Sequence, residues 1–125
     1  MVERMSRNSI LGDLCSRLGG IAVEVARLRA ALEVDGGRPT ETAGSLADLQ
    51  AEVMAVREGI DTLRRVDAEE RRELGHELRT PLNAIAGWAH VLLGEAAASR
   101  NVLRAAEVVD RNVRAMASVI EAYTR

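Results

Sequence analysis

The sequence predicts an all-α protein of long helices, in which an antiparallel hairpin forms a dimeric four-helix bundle behind N-terminal coiled-coil-like helices. Three observations carry that prediction. Apolar residues recur in alternating steps of three and four, and no segment shows the period of two that marks a strand. Of 125 residues, 47% are hydrophobic but only 2% aromatic, with no Phe, so the interior must be built from Ala, Leu and Val. Such side chains suit thin helix–helix seams better than a thick core. Ala, Leu, Arg and Glu dominate, as in long helices.

The first helix is read from Leu11, Leu14, Leu18, Ile21, Val25, Leu28 and Leu32, an unbroken 3.5-residue repeat. Gly19 and Gly20 inside it cost roughly 1–2 kcal/mol in helix propensity, so the seam must be well packed. Asp35-Gly36-Gly37-Arg38-Pro39 supplies the stop signals. After a polar stretch, Ser45 is the expected N-cap of a second helix with its seam at Leu46, Leu49, Val53, Val56, Ile60 and Leu63. The short connection favours folding the first helix back on the second.

Six of the seven residues from Asp67 to Glu73 are charged, and the apolar line resumes at Leu74, eleven residues after Leu63. This step reads as a stutter in one continuous helix joining two modules, residues 1–67 and 68–125. The resumed stripe is Leu74, Leu78, Leu82, Ile85, Ala89 and Leu92. A break at Ala98-Ser99-Arg100 precedes a last helix with Val102, Ala106, Val109, Val113, Met116, Ile120 and Tyr123 inward. Two antiparallel helices with one stripe each cannot bury both faces alone, hence the expected homodimer.

Composition excludes several classes of function. The formal net charge of −2 lacks the basic excess of a nucleic-acid binder. Cys15, the single cysteine, precludes an intrachain disulfide and is expected to be a small buried hydrophobe. No apolar run nears the roughly 18 residues of a membrane span, and Arg4, Arg7 and Asp13 interrupt any signal-peptide pattern. A cytoplasmic chain is expected. No metal site is foreseen: His-Glu-x-x-His would need histidine where Thr80 stands, and His90 lies about 21 Å along the helix from His76. His90 is expected in solvent and Trp88 in packing beside the stripe.

The chemistry concentrates in His76-Glu77-Leu78-Arg79-Thr80-Pro81-Leu82-Asn83-Ala84-Ile85. At about 100° per residue from Leu74, the stripe spans roughly 0–80° and His76 falls near 200°. Thr80 near 240°, Asn83 near 180° and Gly87 near 220° line up with it, so the imidazole points outward among small or polar neighbours. Pro81, one turn later, cannot donate to the carbonyl of Glu77, and a kink costing about 3 kcal/mol is expected there.

This run resembles the H-box of the histidine kinase dimerisation and phosphoacceptor domain of two-component sensor kinases, with a similarity extending over roughly Ala68 to Arg125. The resemblance implies that His76 accepts the γ-phosphoryl group of ATP and passes it to an aspartate of a response-regulator receiver domain. It further implies that Glu77 orients the imidazole and accepts its other proton, and that Thr80 helps place water in dephosphorylation. The exposed face with Ala84, Gly87 and Val91 would dock the receiver, and Arg79 could offset phosphate charge. ATP and Mg would come through a separate ATP-binding kinase domain, in cis or in trans, because no Gly-rich nucleotide loop occurs in these residues; no cofactor is expected in this chain. The sequence departs from the family at Glu70 and Arg71, where an apolar pair is usual. Rival readings are a scaffold protein with a vestigial H-box and a stand-alone histidine phosphotransfer protein.

Overall fold

The computed structural model describes residues 6–34, 41–94 and 100–125, and the side chains among these except at 31–34 and 41–45. Four helices follow one another: α1 (Arg7–Val34), α2 (Glu41–Leu63), α3 (Ala68–Leu93) and α4 (Arg100–Tyr123). No strand occurs among the described residues.

Each helix turns its apolar seam inward. Leu11, Leu14, Leu18, Ile21, Val25 and Leu28 of α1 are all buried, as are Leu46, Leu49, Val53, Val56, Ile60 and Leu63 of α2. In α3 the buried line is Leu78, Leu82, Ile85, Ala89 and Leu92; in α4 it is Val102, Ala106, Val109, Val113, Met116 and Ile120, with Ala105 beside it. Leu74 and Tyr123, expected in the core, are only partly buried and pack against its edge. The expected stripes thus match the buried faces with little exception, Leu32 lying outside the described side chains, because a helix can hide only the face its 3.6-residue turn repeats.

Packing follows a ring: α1 lies against α2 and α4, and α3 lies against α2 and α4. Neighbours run antiparallel. Arg7, at the start of α1, donates to the carbonyl of Leu63 at the end of α2, at 2.9 Å. Gly59 of α2 meets Leu78 of α3, Gly75 of α3 meets Thr124 of α4, and Gly20 of α1 faces Asn112 of α4. The first helix therefore folds back, as its short connection suggests. The buried residues of all four helices form one continuous cluster, so 1–67 and 68–125 contribute two helices each to a shared core.

Two expectations are corrected here. The continuous helix across Leu63 and Leu74 does not form: Arg64 and Arg65 make a turn, and α3 starts afresh after Asp67. Asp67 has extended backbone (φ −77°, ψ −179°), and its carboxylate accepts from the N–H of Glu70 at 2.9 Å. Glu69 and Glu70 add favourable charge to the first turn of α3, and Arg64 and Arg65 do the same beyond the end of α2. Folding α2 onto α3 removes both seams from water, at roughly 1.5–3 kcal/mol for each fully buried Leu, Ile or Val. The few helical hydrogen bonds lost at the turn are small beside that.

The stripes of α3 and α4 are covered by α1 and α2 of the same chain rather than by another hairpin. Helix α2 begins at Glu41, so Ser45 lies inside it and not at its cap. Of the stop signals after α1, residues 35–39 lie outside the described residues, as does most of the break before α4.

Candidate functional site

Helix α3 carries the run from His76 to Ile85 that resembles an H-box. It continues through Pro81, whose ring is buried against the core. Proline is tolerated because the apolar ring fills a seam position, although its missing N–H weakens the turn that ends at Glu77. His76, Glu77, Arg79, Thr80 and Asn83 are all exposed, as the helix angles require.

His76 borders a groove of about 500 Å³ between α3 and α4. From α3 the groove takes Arg72, Gly75, His76, Arg79 and Asn83; from α4 it takes Glu121, Thr124 and Arg125. Its floor forms because the two helices come very close at Gly75. A Cβ there would lie 2.6 Å from Cβ of Thr124 and closer still to its Oγ1. Thr124 is itself buried, with its hydroxyl donating to the carbonyl of Ile120 at 2.7 Å. A glycine immediately before the histidine therefore sets how near α4 stands to the imidazole.

The charges around His76 are mostly basic. Arg72 stands one turn before it and Arg79 one turn after, on the same face of α3. Arg125 reaches in from the end of α4, 3.8 Å from Glu121. Among the described residues the imidazole has no hydrogen-bond partner, and the residue is exposed. Glu77 is next along the helix and so points about 100° away. No hydrogen bond joins it to His76, so its implied part in proton transfer requires a change of rotamer or a bridging water.

The other expected site residues lie along the same helix. Thr80 is exposed one turn from His76 but does not line the groove. Ala84 and Gly87 are exposed further on, and Val91 is 64% exposed, an uncommon state for a large apolar side chain. Val91 sits about 22 Å along the helix axis from His76, so these residues extend the outer face without reaching the groove. His90 is exposed and Trp88 packs partly buried against the core, both as expected.

Cys15 is a correction: its thiol is exposed rather than buried, with the Arg64 guanidinium donating to Sγ at 3.1 Å. It falls one step off the Leu14 seam, where the heptad leaves the core. Glu70 and Arg71, charged where the resemblance would call for an apolar pair, have a local explanation. Both residues lie in the first turn of α3, not in mid-helix, and Arg71 stacks 4.7 Å over the ring of Tyr123. That stacking covers the end of the bundle where an apolar pair would otherwise sit. Arg71 Nε and the Tyr123 hydroxyl are buried there with no hydrogen-bond partner among the described residues.

Sequence reasoning missed Arg72, Arg125, Gly75 and Thr124. The spacing of Arg72, four residues before His76, was a readable signal. The α4 residues were not, since their approach depends on how two helices cross. Among the described residues no group of three or more His, Cys, Asp or Glu side chains could hold a metal ion, and no helix is long and apolar enough to cross a membrane. Compared with protein-family models, curated proteins and solved structures, the chain gives no match.

Proposed function

We propose that this chain is a phosphohistidine-carrying module of a two-component relay, with His76 as phosphoacceptor. The observation that supports it most is an unengaged imidazole on the rim of a basic groove, within a run that resembles an H-box. A ring nitrogen of His76 attacks the γ-phosphorus of ATP presented by an ATP-binding kinase domain, in cis or in trans. The bond from phosphorus to the bridging oxygen breaks, ADP leaves, and the imidazole sheds its proton to Glu77 or to water. In the second transfer a receiver aspartate attacks the phosphorus, the N–P bond breaks, and the imidazole regains a proton. Thr80, exposed one turn after His76, would help place the attacking water in dephosphorylation. Ala84, Gly87 and Val91 offer the receiver an outer helix face. The domain assignment follows the relay: 68–125 bears the acceptor, and 1–67 supplies the helices that support it. ATP and Mg belong to the donor partner. The relay partners put this work in the cytoplasm.

Within the relay, the single-chain bundle favours the stand-alone phosphotransfer form over a dimeric kinase core. Its support is that α1 and α2 of the same chain cover the α3 and α4 stripes. The rival is a helical scaffold with a vestigial H-box.

Incubation with a phosphorylated receiver, or with an ATP-binding kinase domain and ATP, distinguishes them. The expected product is phosphate on the chain that survives alkali, is lost in acid, and is absent from His76→Gln. No label under either condition leaves the scaffold.

A further inference from the structure

We infer that Arg72, Arg79 and Arg125 make the α3–α4 groove a subsite for a phosphoryl oxyanion, one that admits a small phosphoramidate or acyl phosphate as direct donor to His76. The inference rests on the acceptor role proposed above and adds a substrate class to it. Arg72 and Arg79 flank the imidazole by one turn on each side, and neither forms an ion pair among the described residues. Arg125 faces them from α4, its charge only partly met by Glu121 at 3.8 Å. Three guanidinium groups against one carboxylate line this groove in a chain whose formal net charge is −2.

Other hollows differ. The one near Cys15 sets Arg57 beside Asp61. In the one at the start of α1, Arg7 and Arg64 are already engaged, by the Leu63 carbonyl and the Cys15 sulfur. The one at the start of α4 holds Arg27 paired to Glu24 at 3.0 Å. Beside His76, two arginines with no ion pair, Arg72 and Arg79, flank the imidazole on both sides.

Guanidinium groups match the oxygens of a phosphoryl dianion with parallel donors. Fixed positive charge around the three equatorial oxygens lowers the barrier to transfer without a metal ion from this chain. The groove, at about 500 Å³, leaves room for a small leaving group beyond the phosphoryl itself. With phosphoramidate the imidazole nitrogen attacks phosphorus, the P–N bond breaks, and ammonia departs carrying the proton that the imidazole sheds.

Two readouts on the full chain test this. Inorganic phosphate is titrated against the backbone amide resonances of Gly75, His76 and Asn83, and labelling by phosphoramidate is followed by intact mass. The wild type and His76→Gln should both show saturable phosphate shifts, and only the wild type should take a label. The double variant Arg72→Gln/Arg79→Gln should lose the shifts and label at least about tenfold more slowly. The pair Arg72→Lys/Arg79→Lys should restore part of both, and Arg57→Gln, on α2, should change neither. All three arginine positions are solvent-exposed, and circular dichroism verifies that each variant keeps its helices. Wild-type labelling in Arg72→Gln/Arg79→Gln, with no groove amide moved by phosphate, overturns the subsite and leaves the acceptor role standing. Arginine-dependent phosphate binding with no label from any donor overturns the acceptor role instead.

Discussion

At the residue scale, His76 is set apart by what surrounds it rather than by the ring itself. An exposed histidine on a helix is ordinary. Its placement beside Gly75, where α3 and α4 nearly touch, is not. Gly75→Ala must push α4 away, because the clash is with the branch point of Thr124 and not with a flexible tip. A loss of about 1–3 kcal/mol is expected in urea unfolding, together with slower labelling of His76. Gly19 is the contrasting case, since a Cβ there meets nothing within 4 Å. Gly19→Ala should stabilise the fold by about 0.5–1 kcal/mol through helix propensity alone. Glu77→Gln should slow phosphorylation by about 10²-fold while leaving the unfolding midpoint unchanged, since its carboxylate carries no structural contact. An unaltered rate would remove Glu77 from the mechanism.

At the scale of the element, the seams were legible and the joint was not. Nearly every residue on the alternating three-and-four pattern is buried, because that pattern is the geometry of one helix face. The turn at Arg64 and Arg65 was hidden by its own composition. It contains neither Gly nor Pro, and its residues are all compatible with a continuing helix. The readable sign was Asp67 with Glu70 three residues on, the spacing of an N-terminal capping box. Asp67→Ala should cost about 1 kcal/mol in thermal or urea unfolding. Unchanged stability would mean that packing alone sets the start of α3. At the candidate site, the α3 half of the groove was within reach of helical-wheel reasoning. The α4 half, Thr124 and Arg125, came only with the crossing of two helices.

For the whole molecule, the consequence of folding α2 onto α3 is a bundle closed within one chain. Each helix shields the stripe of two neighbours, so removing α1 and α2 exposes Leu78, Leu82, Ile85 and the facing α4 residues together. A fragment of residues 68–125 is therefore expected to unfold or to self-associate, detectable by light scattering with circular dichroism. A folded monomeric fragment would contradict the shared core. The full bundle sets the imidazole near the end where α1 and α4 meet the α2–α3 turn, and leaves the outer face of α3 exposed.

The central claim is that the His76 imidazole carries phosphate, and the most direct measurement is phosphorus NMR of the full chain after exposure to a phosphorylated receiver. The account predicts one phosphoramidate resonance, coupled to an imidazole ring proton, lost on mild acidification and missing from His76→Gln. A spectrum showing only inorganic phosphate, or the same resonance persisting in His76→Gln, would contradict it.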